Sequence, residues 1–520
     1  MATLAEIVSA MKIVPSKEES DLVARAYHFS EKVHANQKRF SGEPYFTHTT
    51  ETARNLAQLG MGPTTIAAGL LHDVLEDGNA PASEIEKQFG KDILFLVEGV
   101  TKLGKIRYHG SKRHNESLRK LFVAMSQDVR VLIIKLADRL HNMETLQHVP
   151  EHKRIRIAEE TLQIYAPIAY RLGIRKLQRE LENLSFPYVH PKEYKEIEAI
   201  LKGRKKEDAQ RLEKFHKSIV KALAKSGLTK IKTDYRIKSI FSLYKKYVRK
   251  EKNIEKIYDV LAIRIIVPTI EDCYKVLGTI HATWRPLPGR IKDYIAFPKP
   301  NGYRAIHTTI FTGDGAIIDV HIKTEEMHKE SEYGIASHLT YKGEFGKSSG
   351  GENPAFAWFA WITKLLPRLF KKEKGPAGET FVSSEKATDI PTWIKELAEY
   401  QSALATEKED YIDNLKADFF DERIFVFTPK GDVVDLPIYS TPIDFAYSIH
   451  SDIGDHMAGA KVNGKLVSFD SSLKNGDIVE VIVKPSSVPT QKWLEVVKTS
   501  LARRHIKTVL EKAEQKIPKR

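Results

Sequence analysis

Two adjacent residues, His72 and Asp73, are followed at four-residue spacing by Glu76 and Asp77. His48 lies upstream, and Asp138 lies downstream in Lys135-Leu-Ala-Asp-Arg-Leu-His-Asn142. Imidazole and carboxylate together suit a divalent first-row metal, Mn²⁺ among them. Such an ion lowers the pKa of a bound water and so supplies a nucleophile. A neighbouring carboxylate pair can orient or deprotonate that water. A lone His-Asp pair is more often a capping or surface pair, so the reading rests on the whole set.

A second group of residues suits polyphosphate. Arg236, Lys238, Ser242, Lys245 and Lys246 lie on Tyr235–Arg249. Basic residues four apart on a helix would make a one-sided cationic strip. Over Tyr258–Val267, alternation puts Asp259, Leu261, Ile263 and Ile265 on one face, with Asp259 at the strand's start. Arg290, Lys292, Asp293, Lys299 and Asn301 line a loop ending at Gly302-Tyr303. Tyr303, Ala305, His307 and Thr309 then share a face. Asp319, His321 and Lys323 share another, opposite Ile318, Val320 and Ile322. One polar face and one apolar face look like the floor of a site. A solvated antiparallel sheet would look the same, so alternation leaves both open.

The elements that must position these residues follow from periodicity. Apolar spacing of three and four predicts helices through Thr64–Leu75, Val129–Leu140 and Ile155–Leu172, in a region helical to about residue 185. Pro63 suits a first helical turn and Gly78 a stop. Lys192–Ser226 reads as a charged helix, and strands alternate with helices after it, an α+β pattern. A Gly/Ser- and Lys/Pro-rich connector covers about 344–390, followed by a charged helix, Trp393–Lys416. Asp421–Val483 reads as a small β-rich domain, and a basic helical tail starts near Gln491. With 520 residues and 42% apolar content, several globular domains are expected. No export signal and no apolar run near the roughly 18 residues of a membrane span appear, so a cytoplasmic protein without a membrane partner is expected. One cysteine, Cys273, excludes an internal disulfide and a multi-cysteine zinc site. The net charge of +14 fits a polyanionic partner, nucleotide or RNA, as well as an ordinary basic surface.

The order His48, His72-Asp73, Asp138 resembles the HD phosphohydrolase superfamily. Arg39-Phe-Ser-Gly-Glu-Pro-Tyr45, Gly69-Leu-Leu-His-Asp-Val-Leu-Glu-Asp77, Gly99-Val-Thr-Lys-Leu103 and Lys135–Met143 resemble, more narrowly, the long RelA/SpoT homologue family. Tyr258–Arg264, Trp284–Ile295, Lys299–Tyr303 and His307–Thr309 resemble that family's synthetase domain. Glu422–Asp432, Thr441–His450 and Gly459–Gly464 resemble its TGS module.

The resemblance implies an all-α HD hydrolase domain (1–188), an α+β nucleotidyltransferase-like synthetase domain (189–343), a connector and helix (344–417), a small β-grasp TGS domain (418–486) and a basic helical tail (487–520). It implies that His48, His72, Asp73 and Asp138 bind Mn²⁺, that Glu76 and Asp77 handle the water, and that Arg39, Thr101 and Asn142 contact the nucleotide. The implied hydrolysis removes pyrophosphate from the 3′ position of (p)ppGpp. The implied synthesis moves pyrophosphate from ATP to the 3′-hydroxyl of GDP or GTP. There Asp259 and Asp319 match the Mg²⁺-binding catalytic acids, and Arg236, Lys238, Ser242, Lys246 and Arg264 match ATP contacts. Tyr303 matches the residue stacking on guanine, and Lys292, Lys299, Asn301 and His307 match acceptor-side positions. Arg290-Ile-Lys-Asp293 has the form that goes with bifunctional members. Asp319-Val-His-Ile-Lys323 departs from the family's Glu, Gln and Arg, which puts the vigour of synthesis in question. His450 matches a position implicated in reading uncharged tRNA on stalled ribosomes. The family's later C-terminal regions are expected to be absent. Two rival readings stand beside the bifunctional one: a hydrolase whose degenerate synthetase senses nucleotides, and a tRNA- or ribosome-binding regulator.

Overall fold

A computed structural model of the chain describes residues 1–78, 80–104, 128–237, 239–249, 251–252, 261–299, 303–313, 317–334, 336 and 423–515. Asp259, Lys238, Asn301 and the connector lie outside the described residues, as does the side chain of Arg236. The chain divides into two compact units, one holding the helical half and the following sheet, the other the C-terminal part.

The first unit opens with α1 (Leu4–Ala10) and α2 (Lys17–Val33). Each starts in a capping box, Thr3 with Glu6 and Ser16 with Glu19, which satisfies amides a helix start leaves orphaned. α3 (Phe46–Leu59) is buried around most of its circumference. Its threonines tolerate this because their hydroxyls bond back to the helix, Thr49 to the Phe46 carbonyl and Thr50 to that of Thr47. α4 (Pro63–Leu70) starts at Pro63 as expected. A Cβ on Gly69 would sit 2.3 Å from Leu56 Cδ1, so glycine spares this buried leucine a shift where α4 packs on α3. α5 (Ala82–Phe89), α6 (Lys91–Gly104), α7 (Val129–Glu144) and α8 (Glu151–Glu160) follow. A π turn, Thr161–Tyr165, then joins α8 to α9 (Ala166–Arg171). Pro167 has no amide to give an α-helical ladder, and the wider turn ahead of it absorbs the mismatch.

One expectation is corrected here. Apolar periodicity carries the α4 helix to Leu75, yet the helix ends at Leu70 and residues 71–77 form turns. His72 Nδ1 bonds the Gly69 carbonyl at 2.8 Å, so a side chain occupies an acceptor of the helix's last turn. His72, Asp73, Glu76 and Asp77 therefore lie past the helix, although the Asp77 amide still reaches the Asp73 carbonyl at 2.9 Å and keeps those two one turn apart.

α10 (Arg175–Val189) and α11 (Pro191–Lys225) lead into a five-stranded sheet. Its strands are β1 (Lys232–Ile237), β2 (Leu261–Val267), β3 (Lys292–Asp293), β4 (Ile306–Phe311) and β5 (Ile317–Thr324), ordered β1-β2-β5-β4-β3. β2 and β5 run parallel and the other pairs antiparallel. One face packs Ile263, Ile265, Ile306, Ile310, Ile318 and Val320 against α11 and α13 (Ile270–Thr283). The segment read as one basic helix divides instead. Arg236 is on β1, while Ser242 and Lys246 sit a turn apart on α12 (Ile240–Arg249). α14 (Glu325–Tyr333) ends at Gly334, with φ +53°. A Cβ there would lie 2.2 Å from the Leu172 carbonyl oxygen, so this glycine lets the sheet's last helix abut the turn after α9.

In the second unit, β6 (Arg423–Phe427) and β7 (Val433–Pro437) form a hairpin. β8 (Met457–Val462), β9 (Lys465–Val467) and β10 (Val479–Val483) form a sheet ordered β10-β8-β9. α15 (Pro442–Ile449) and α16 (Ser451–Asp455) lie between them, and α17 (Trp493–Val496) and α18 (Ser500–Gln515) close the chain. Ala502 and Ile506 of α18 share a core with Ile443, Ala446 and Tyr447 of α15. The wholly buried Asp444 accepts from the amides of Lys498 and Thr499, joining the two helices. Among the described residues, no helix is long and apolar enough to cross a membrane.

Candidate functional site

His48, in the first turn of α3, and His72, just past α4, face one another with ring centroids 5.1 Å apart. The close approach at Gly69 brings them together. Asp138, on α7, completes a group whose ligand atoms all lie within 4.8 Å of one another. His48 Nε2 is 3.2 Å from Asp138 Oδ1 and 3.5 Å from Asp73 Oδ2. His72 Nε2 is 3.0 Å from Asp73 Oδ2. His48, His72 and Asp138 are each at most 2% exposed.

The network assigns the ring protons. The Arg39 guanidinium carries only donors and sits 3.1 Å from His141 Nδ1, so that nitrogen accepts. His48 Nδ1, 2.9 Å from the same atom, must then donate. His72 Nδ1 donates to the Gly69 carbonyl. Both Nε2 atoms are left as lone pairs directed at carboxylates, and His72 Nε2 is buried with no hydrogen-bond donor. Only a proton or a cation reconciles lone pairs so placed. Burial would lower the His72 pKa, but Asp73 and Asp138 outweigh it and raise the imidazole to about 9. A divalent cation answers the same charge, and two imidazoles with carboxylates are a donor set such a cation takes.

The surroundings orient these groups. Lys135 Nζ donates to Asp138 Oδ2 at 2.6 Å and Asn142 Nδ2 to Oδ1 at 2.5 Å. Against burial, which would raise it, Lys135 holds the Asp138 carboxyl far below its usual range. Arg39 donates to Asn142 Oδ1 at 2.6 Å. The Tyr45 hydroxyl lies 2.8 Å from Asp73 Oδ2 and 2.7 Å from Asp77 Oδ2. Burial, then these carboxylates, push its pKa well up, so it stays a donor. Glu76 and Asp77 are exposed beside the cluster. Thr101 is buried with its hydroxyl on the Val97 carbonyl, and no described contact joins it to the group. Sequence reasoning gave no role to Tyr45, His141 or Lys135. The last two stand three residues either side of Asp138 on a helix, which was the available signal.

The polar face of the sheet gathers the second set. His307 pairs in register with His321, and Thr309 with Asp319. The two imidazoles stack with centroids 4.0 Å apart, and Thr309 Oγ1 donates to Asp319 Oδ1 at 2.7 Å. Burial, then His321, hold His307 well below its ordinary pKa, so it is neutral. Tyr303 Oη lies 2.7 Å from His307 Nε2. The Tyr303 ring is only 6% exposed, with the Arg175 guanidinium 4.2 Å from its centroid and Lys299 Nζ at 5.6 Å. Lys292 pairs with His307 from the edge strand. Arg264 bonds Asp234 and, at 3.2 Å, Glu332. Lys323, 3% exposed, bonds Ser331 at 2.7 Å. Ser242 receives the Ser239 hydroxyl, and Lys245 pairs with Glu182. Arg175, from the helical half, was not anticipated. In the second unit His450 is exposed, and its Nδ1 caps α16 by accepting the Asp452 amide at 3.1 Å.

Three family profiles match the chain: an HD domain over residues 26–175, a region found in RelA / SpoT proteins over 235–345, and a TGS domain over 424–483. The chain is 42% identical over 499 residues to a guanosine-3′,5′-bis(diphosphate) 3′-pyrophosphohydrolase of Aquifex aeolicus, covering 96% of this chain and 66% of the relative. It is 43% identical over 491 residues to a GTP pyrophosphokinase of Myxococcus xanthus, covering 94% and 60%. It thus spans 60–66% of the length of these relatives. It is also similar, at a TM-score of 0.23 and 19% identity over 34% of this chain and 91% of the other, to the solved small alarmone synthetase 1 from Bacillus subtilis bound to its product pppGpp.

Proposed function

We propose, since this chain belongs to the RelA/SpoT homologue family, that it both makes and destroys (p)ppGpp in the cytoplasm. The observation that carries the reading is the pair of imidazole lone pairs, His48 Nε2 and His72 Nε2, converging with Asp138 in a buried cluster. His48, His72, Asp73 and Asp138 would hold Mn²⁺, which when bound supplies an activated water. Asp77 and Glu76, exposed beside them, orient that water and accept its proton. Lys135 and Asn142 keep the Asp138 carboxylate ionised and aimed. Arg39, Asn142 and Thr101 are assigned to the nucleotide, Arg39 and Asn142 being already joined.

For synthesis, Asp319 and Asp259 would hold Mg²⁺. Arg236, Lys238, Ser242, Lys246 and Arg264 receive ATP, and Lys292, Lys299, Asn301, Tyr303 and His307 receive GDP or GTP. Pyrophosphate transfer needs charge neutralisation and in-line placement more than covalent help, which a basic, ionisable sheet face supplies. Incubating the pure chain with ppGpp and Mn²⁺, and separately with ATP, GDP and Mg²⁺, tests both halves. Pyrophosphate release alone would leave a hydrolase with a nucleotide-sensing sheet, and neither activity would sink the reading. We assign His450 to uncharged tRNA on the ribosome, its Nε2 directed away from the cap it forms. Equal tRNA-dependent stimulation in wild type and His450→Glu removes that assignment.

A further inference from the structure

We propose that Tyr45 is the positioning residue for the Asp77 carboxylate, held in place by a clamp of His34 and Gln37; this rests on the hydrolase reading above. α4 stops at Leu70, so apart from a single helical-turn bond to Asp73 no helix sets where Asp77 stands. Three bonds do. Its amide donates to the Asp73 carbonyl at 2.9 Å, its carbonyl accepts from Gln37 Nε2 at 2.5 Å, and its carboxylate takes the Tyr45 hydroxyl at 2.7 Å. Two of the three come from one loop, residues 37–45. That loop is closed on itself by Tyr45 N to the Gln37 carbonyl at 2.8 Å and Arg39 N to the Glu43 carbonyl at 2.9 Å, with Gly42 at φ +85°.

Behind the loop, His34 is wholly buried and stacks on the Tyr45 ring, centroids 4.9 Å apart at 28°. The Gln37 amide nitrogen faces the Asp77 carbonyl, so its oxygen faces His34 Nδ1, 2.7 Å away. His34 Nδ1 therefore donates, and a continuous run of bonds leads from His34 through Gln37 to the Asp77 backbone. Tyr45 adds the side-chain tie. Its single hydroxyl proton lies between Asp77 and Asp73, so it sets the spacing between the carboxylate assigned to the water and one assigned to the metal. The ring stack on His34 and the loop closure hold that hydroxyl where it is.

Tyr45→Phe keeps the ring and its stack and removes only the tie. Its turnover of ppGpp should fall on the order of a hundredfold, the scale on which misplacement by about 1 Å acts. KM, Mn²⁺ affinity read by electron paramagnetic resonance, and synthesis should stay within about threefold of wild type. Amides of residues 74–78 should exchange with deuterium faster in Tyr45→Phe and in Gln37→Ala. Unchanged turnover, or unchanged exchange in both variants, overturns the proposal. A loss of Mn²⁺ affinity matching the loss of rate also overturns it, because Tyr45 would then act through Asp73. Should wild type release no pyrophosphate, the hydrolase reading fails, and the exchange arm still decides whether the clamp orders this segment.

Discussion

The helical cluster and the sheet face solve opposite problems. At Asp138, both carboxylate oxygens are answered by Lys135 and Asn142, and the buried His72 Nε2 aimed at the same small volume is left without a hydrogen-bond partner. On the sheet, a cation assigned to the nucleotide already has protein partners: Arg264 has Asp234 and Glu332. Tyr303 lies under Arg175 instead of open to a base. A site for a point charge can be completed by the fold itself, because a cation needs only a few fixed lone pairs. A site for a large polyanion must exchange internal ion pairs for substrate contacts. The first is a rigid problem of distance, the second a competition between anions.

The sharpest break of that comparison is Asp73→Ala. It should abolish Mn²⁺-dependent pyrophosphate release from ppGpp, a loss on the order of a thousandfold or more for one member of a unit that acts together. Circular dichroism should be unchanged and synthesis retained, and surviving turnover would remove Asp73 from the site. Next is the scaffold. The Arg139 side chain is only 12% exposed, 3.0 Å from Glu160, with its guanidinium 4.2 Å from the Tyr165 ring centroid. Arg139→Met strands a largely covered carboxylate and should cost about 3 kcal/mol in urea unfolding, the low end for breaking an enclosed pair. A loss below about 1 kcal/mol, the range of exposed pairs, would show this region less pre-built than described.

On the sheet, the family resemblance implies Glu where this chain has Asp319, and against that expectation its carboxylate would be recessed by roughly 1.5 Å, one methylene. Asp319→Asn should silence synthesis, and Asp319→Glu should raise it up to the order of a hundredfold, with hydrolysis unchanged in both. Full synthesis in the Asn variant would show that Asp319 holds no metal. A drop with Glu would show that the Thr309 bond has already adapted the site to the shorter side chain.

The smallest effect concerns pH. Burial, then Lys323, lower His328 from 6.5 to about 4. The folded state thus rejects a proton that the unfolded chain binds, and stability falls as pH drops from 6.5 towards 4, then levels. For this partly exposed group the loss between pH 7.5 and pH 5 is roughly 1 kcal/mol after solvent screening. Urea midpoints at the two pH values should converge in His328→Gln relative to wild type. Equal slopes would place the acid sensitivity elsewhere.

Short-range pattern made much of this molecule legible. The period of α7 put Asp138 and Asn142 one turn apart, as their bond confirms. Alternation separated Asp319, His321 and Lys323 from Ile318, Val320 and Ile322, and the described strand buries the three isoleucine and valine positions. Proline placed the start of α4, and the motifs placed the three domains in order. The same reasoning carried a helix through Leu75, because apolar spacing registers burial and is blind to a side chain such as His72 that takes a helix's acceptor. It also ran one helix across the end of β1 into α12. Which nitrogen of His48 bears the proton depends on Arg39 and His141, 102 residues apart. The bond between Tyr45 and Asp77 spans 32 residues. Arg175 reaches Tyr303 from a different half of its unit. Local spacing holds residue types and the face each occupies. Hydrogen-bond direction, ring tautomer and ion-pair choice are settled by atoms about 3 Å away that are distant in the chain, and only the packed fold brings them there.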